Sequence, residues 1–65
     1  MPTNVPSGLD ITSARLRLGL SQAEFAALVG ASQASVSRWE AAFRTPTGLY
    51  AAAVIRAVAS TREEQ

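Results

Sequence analysis

Residues 22–40 read QAEFAALVGASQASVSRWE, two short helical patterns hinged at Gly30. It is entered through Ser21-Gln22-Ala23-Glu24, a serine followed three residues later by a glutamate, the capping-box pattern in which each side chain takes a backbone N–H at a helix start. Leu20, just before it, stands where a staple residue packs onto the first turn. A helix therefore starts at about Gln22. It can run only to about Leu28 or Val29, because Gly30 supplies the backbone freedom for a sharp reversal. Ser32 then caps a further helix from Gln33 to about Ala41. Two helices of about two turns each are not stable alone, since an isolated helix needs about 12 residues to become even marginal in water. They must pack on each other and on their neighbours. Phe25, Val29, Ala31, Val36 and Trp39 supply the apolar side for that packing, and Ala26 is small where two helix axes approach.

Outward from this run, residues 1–8 hold two prolines, an asparagine and a glycine without periodicity, which predicts a flexible N-terminal arm reaching to Leu9. Asp10 is read as the cap of a first helix. Ile11, Ala14, Arg15 and Leu18 share one face of it, Arg17 lies on its polar side, and Gly19 ends it. Downstream, Ala42-Phe43-Arg44-Thr45 forms a loop closed by Pro46, and Thr47 caps a fourth helix lasting to about Ala59. The expected domain thus spans residues 9–59, and 60–65 form a frayed tail.

The 65 residues, 48% hydrophobic and 17% charged, have room for one small domain. There is no cysteine and no histidine, which excludes disulfide staples, thiolate metal sites and serine-histidine-aspartate or cysteine-histidine chemistry. Neither an enzyme nor a cofactor or metal site is expected. All six basic residues are arginines, and two of the five acids, Glu63 and Glu64, fall within the last three positions. Residues 1–61 therefore carry five arginines against three acids, a surplus of +2 that permits nucleic-acid binding if the arginines share a face. No apolar stretch is long enough to span a bilayer, and the start MPTNVPSG lacks the basic and apolar regions of a signal peptide. A soluble cytoplasmic protein with no membrane partner is expected.

Counted from Gln22, the run has alanine at its fifth place, glycine at its ninth, and apolar residues at the fourth, eighth, tenth, fifteenth and eighteenth. This pattern resembles the helix-turn-helix of the phage Cro and C1 repressor family, also called the XRE family. The resemblance covers roughly Ile11–Val58 and includes LGLSQAEFA leading in, WE at the end and the proline before the next helix. It implies an all-α, compact four-helix domain of the lambda-repressor-like type with a central helix-turn-helix. The second helix of that motif enters the DNA major groove while the first crosses the phosphate backbone.

With Val36 and Trp39 facing inward, Gln33, Ala34, Ser37 and Arg38 are left facing out, and in the family the matching positions read bases or lie beside them. Glutamine can bond adenine N6 and N7, arginine can bond guanine O6 and N7, Ala34 can touch a thymine methyl, and Ser37 can reach either a base or a phosphate. The resemblance also implies phosphate contacts from Gln22 at a helix N-terminus, from Ser21 beside it and from the loop residue Arg44, with Arg17 a further candidate. It implies a partly buried Arg15–Glu40 ion pair that orients the recognition helix. The chain departs from the family in having Ala41 and Ala42 where a glycine is usual, Phe43 where a polar residue is usual, and alanine at position 34.

One recognition helix covers a few base pairs, whereas specific complexes usually come from two half-sites about 34 Å apart, so a homodimer is expected, formed either free or only on DNA. The helix from Thr47 to Ala59 carries one charge, Arg56, with Tyr50, Val54 and Val58 in a sector away from it. Together with Phe43 these residues are the candidate dimer or partner surface, against the alternative of ordinary core plus harmless alanine. The function expected is a double-stranded DNA-binding transcriptional regulator, a repressor on an inverted-repeat operator. An antitoxin or adaptor that uses the same fold to bind a partner protein is the competing reading, and a generic nucleoid-type binder is disfavoured by the small positive charge.

Overall fold

The computed structural model describes residues 5–62. It contains four helices, α1 (Gly8–Leu18), α2 (Gln22–Val29), α3 (Gln33–Glu40) and α4 (Gly48–Arg62). The fold is an all-α four-helix domain with the helix-turn-helix pair α2–α3 at its centre. Helix α1 packs across α3 and α4, and α4 also closes on α2.

Two helices begin with the same device. The Ser21 hydroxyl accepts from the Glu24 amide at 3.1 Å, and the Glu24 carboxylate accepts from the Ser21 amide at 2.8 Å. Ser7 and Asp10 repeat that box at the start of α1, with distances of 3.1 and 3.3 Å. The cap of α1 is therefore Ser7, and Asp10 is its third residue, which corrects the expectation that Asp10 is the cap. The helix begins within the segment read as an arm, so Gly8 is helical; residues 5–7 precede it outside any helix, and residues 1–4 of that expectation lie outside the described residues. Helix α3 is capped by Ser32, whose hydroxyl accepts from the Ser35 amide at 3.1 Å. Helix α4 opens with the Thr47 carbonyl accepting from Tyr50 and Ala51 at 3.1 and 3.3 Å.

At their other ends α1 and α2 stop at Gly19 (φ 74°) and Gly30 (φ 78°), left-handed residues that release the chain for reversal. Helix α3 ends in the same kind of turn without a glycine. Ala42 takes φ 66°, its amide donating to the Trp39 carbonyl at 3.1 Å while the Phe43 amide donates to the Arg38 carbonyl at 2.9 Å.

The core consists of Ile11, Ala14, Phe25, Ala26, Val29, Val36, Trp39, Val54 and Val58, with Leu18, Leu20, Ala31, Ala53 and Ala57 packed against it. Each large member contributes about 1.5–3 kcal/mol by leaving water. Val54 and Val58 are 0% and 4% exposed, so neither lines an outer surface, and both leave the candidate dimer face. Their sector of α4 is the one that α1 and α2 cover. Helix α4 also continues three residues past Ala59, into the stretch read as frayed. Thr61 is buried there, its hydroxyl donating to the Val58 carbonyl at 2.8 Å. The remainder of that tail, 63–65, lies outside the described residues.

Candidate nucleic-acid interface

Helix α3 is eight residues long and its two inward residues, Val36 and Trp39, fix its rotation about its own axis. Gln33, Ala34, Ser37 and Arg38 are all exposed on the other side. An N-terminal cap, a buried apolar stripe and an outward face of Gln33, Ala34, Ser37 and Arg38 make α3 a rod about 12 Å long presented to solvent.

What holds this rod is a polar chain through three helices. Arg15 of α1 donates from Nε to Glu40 Oε2 at 2.7 Å and from Nη2 to Glu40 Oε1 at 3.2 Å, a two-pronged ion pair with side chains 15% and 9% exposed. The third nitrogen, Nη1, donates to the Leu20 carbonyl at 3.0 Å, tying the same guanidinium to the turn before α2. Gln22, the first residue of α2, donates from Nε2 to Glu40 Oε1 at 3.1 Å. Its own Oε1 accepts from Gln33 Nε2 at 3.4 Å, so the first outward residue of α3 is joined to the pair. Burial pushes the Glu40 carboxyl up, but hydrogen bonds from Arg15 and Gln22 and the guanidinium charge outweigh it and hold the carboxyl below its ordinary value of 4.5. The hydrogen bond to Glu40 likewise raises the Arg15 guanidinium above its usual value, so it is more firmly protonated.

The residues singled out from the sequence are distributed unevenly. Gln22, Gln33, Arg15 and Glu40 come together in the polar chain. Ser21 is exposed beside them and acts as the cap of α2. Arg38 and Arg44 line one cleft of about 220 Å³ with Ser35, Trp39, Thr45, Thr47 and Tyr50. Arg17 is not brought to this face: two residues beyond Arg15 it points the other way around α1 and lines a groove with Asp10, Ser13, Val58 and Thr61. Phe43 and Tyr50 are 81% and 45% exposed, and Leu49 is exposed as well, at 89%.

Sequence reasoning missed two features. Gln22 is expected only as a phosphate contact, yet it is also the link between the ion pair and α3; the signal was a glutamine opening each of the two helices. Gly8 is the other. A Cβ there would lie 2.6 Å from the carbonyl oxygens of both Trp39 and Glu40, so the start of α1 rests directly on the end of α3.

Among the described residues, no group of three or more His, Cys, Asp and Glu side chains could hold a metal ion, and no helix is long and apolar enough to cross a membrane. Residues 11–64 match the family model described as helix-turn-helix. No curated protein and no solved structure matches the chain.

Proposed function

The chain belongs to the helix-turn-helix family, of the XRE type, a family of DNA-binding regulatory modules and not of catalysts, and from that premise we propose that it is a sequence-specific repressor that binds an inverted-repeat operator as a homodimer. The observation that carries this reading is the polar chain Arg15–Glu40–Gln22–Gln33, which fixes α3 with Gln33, Ala34, Ser37 and Arg38 outward. A helix of that length fits the major groove, where its first residues meet base edges. Gln33 suits adenine, Ala34 suits a thymine methyl, and Ser37 suits a base or a phosphate. Ser21 and Gln22 sit at the start of α2, where backbone N–H groups and the helix dipole favour a phosphate, and Arg44 grips the backbone from the following loop. Repression follows from occupancy, because an operator covered by two copies is closed to polymerase.

The test is selection of bound duplexes from a random pool, followed by affinity for the winning site and for scrambled DNA at about 150 mM salt. A symmetric consensus with a preference of at least about 10³ is expected. Weak binding without consensus would overturn the reading. The competing role, a partner-binding antitoxin or adaptor, draws on the exposed Phe43, Leu49 and Tyr50. It predicts that alanine at Gln33, Ser37 and Arg38 together leaves activity in cells intact while changes at Phe43 and Tyr50 abolish it.

A further inference from the structure

The cleft at the end of α3 gives Arg38 a different assignment from its three outward neighbours. Arg38 lies in the last turn of α3, about 7.5 Å along the axis from Gln33. Recognition helices touch base edges with their N-terminal residues, so a last-turn side chain rises toward the backbone. Its backbone is also tied to the loop that carries Arg44, because the Arg38 carbonyl accepts from the Phe43 and Arg44 amides at 2.9 and 3.3 Å. That knot brings both arginines to one cleft of about 220 Å³, whose other walls are the hydroxyl residues Ser35, Thr45 and Thr47 and the aromatic residues Trp39 and Tyr50. The two rings brace each other, with centroids 6.0 Å apart at 51°. Pro46, buried between Thr45 and Thr47, anchors the loop to the body of the domain.

Among the described residues no carboxylate lines this cleft, so two positive charges face a polar space with neutral donors around them. An oxyanion relieves their repulsion and accepts hydrogen bonds from guanidinium and hydroxyl groups at once. The geometry points to a clamp for one DNA backbone phosphate, closed by Arg38 from the helix and by Arg44 from the loop. Arg38 is then a positioning residue, and direct base readout falls to Gln33 and Ala34, with Ser37 between them and the clamp, in reach of either a base or a phosphate. This inference rests on the operator-binding reading and refines its contact set.

The closing experiment uses the full chain, the selected operator and every single-base-pair variant of it. Arg38→Gln is expected to weaken all sites by a similar factor, as Arg44→Gln does, and to reduce the slope of log affinity against log salt by about one. The double variant should lose less than the product of the two single losses, because both side chains serve one phosphate. Operators carrying a neutral methylphosphonate at successive backbone positions supply the direct readout: at one position per half-site, neither arginine variant should differ from the wild type. Loss of preference at a single guanine in Arg38→Gln, or fully multiplicative losses in the double variant, would overturn the clamp while leaving operator binding intact. A wild-type chain without DNA affinity would overturn both. Melting curves of the variants should match the wild type, since both side chains are exposed.

Discussion

Ala42 is the one described residue other than glycine with a left-handed backbone, at φ 66°. Its Cβ is crowded against its own carbonyl there, a strain of about 1–2 kcal/mol for an L residue, and the hydrogen bonds from its amide to the Trp39 carbonyl and from the Phe43 amide to the Arg38 carbonyl keep it in place. Replacing it with glycine removes the strain but adds freedom to the unfolded chain, leaving a net gain of about 0.5–1 kcal/mol. Ala42→Gly is therefore expected to raise the melting temperature by about 3–6 °C, as followed by circular dichroism. Ala41 is the control. It has right-handed φ −82°, so Ala41→Gly should lower the melting temperature instead. A fall with Ala42→Gly would mean that the turn has another geometry. The departure from the family was visible in the sequence as alanine where glycine is usual. What the residues alone left open was whether the helix runs on or the turn persists under strain, because that depends on where Pro46 and the rest of the loop must go.

Between elements, the strongest single tie is Arg15–Glu40, which joins α1 to α3 and, through Gln22 and the Leu20 carbonyl, to α2. Removing the carboxylate leaves a partly buried guanidinium without its charge partner, a loss of about 3–5 kcal/mol. Glu40→Ala should thus lower the melting temperature by more than about 10 °C and weaken DNA binding, because α3 loses its alignment. The pH dependence has a definite sign. The folded carboxyl titrates below its ordinary 4.5, so its contribution is fully present above that value and is lost as pH falls through the folded value. Melting temperatures of the wild type should decline from about pH 5 downward, and Glu40→Gln should show a shallower decline. Parallel curves, or an unchanged melt for Glu40→Ala, would refute the tie. The four helices themselves were legible because their signals are local: capping boxes, a two-sided apolar pattern and glycine at two reversals. The start of α1 was not. Gly8 reads as loop from its neighbours, and its reason for being glycine is the close approach to the Trp39 and Glu40 carbonyls, more than thirty positions away in sequence.

For the whole molecule, dimension argues for two copies. Its longest axis is 30 Å, shorter than the separation of about 34 Å between half-sites that meet the same face of DNA, so a single copy offers one recognition helix to one half-site. The surface that a second copy would use is narrower than the helical wheel of α4 implies. A helix apolar on nearly all sides does not reveal which sector its neighbours cover, and here Val54 and Val58 go to the core while Leu49, Tyr50 and the loop residue Phe43 stay outside. Two chains per two-half-site duplex are expected by equilibrium sedimentation. Lengthening the spacer by about 5 base pairs, half a helical turn, should reduce affinity to that of one isolated half-site, because the second copy is carried to the opposite face. Phe43→Ser removes an exposed ring that contributes little to the monomer, so it should lower cooperativity between half-sites without moving the melting curve. A monomer at high micromolar concentration together with a one-to-one complex would sink the dimer. Specificity would then rest on α3 alone, and the exposed Phe43, Leu49 and Tyr50 would be free for a different protein partner.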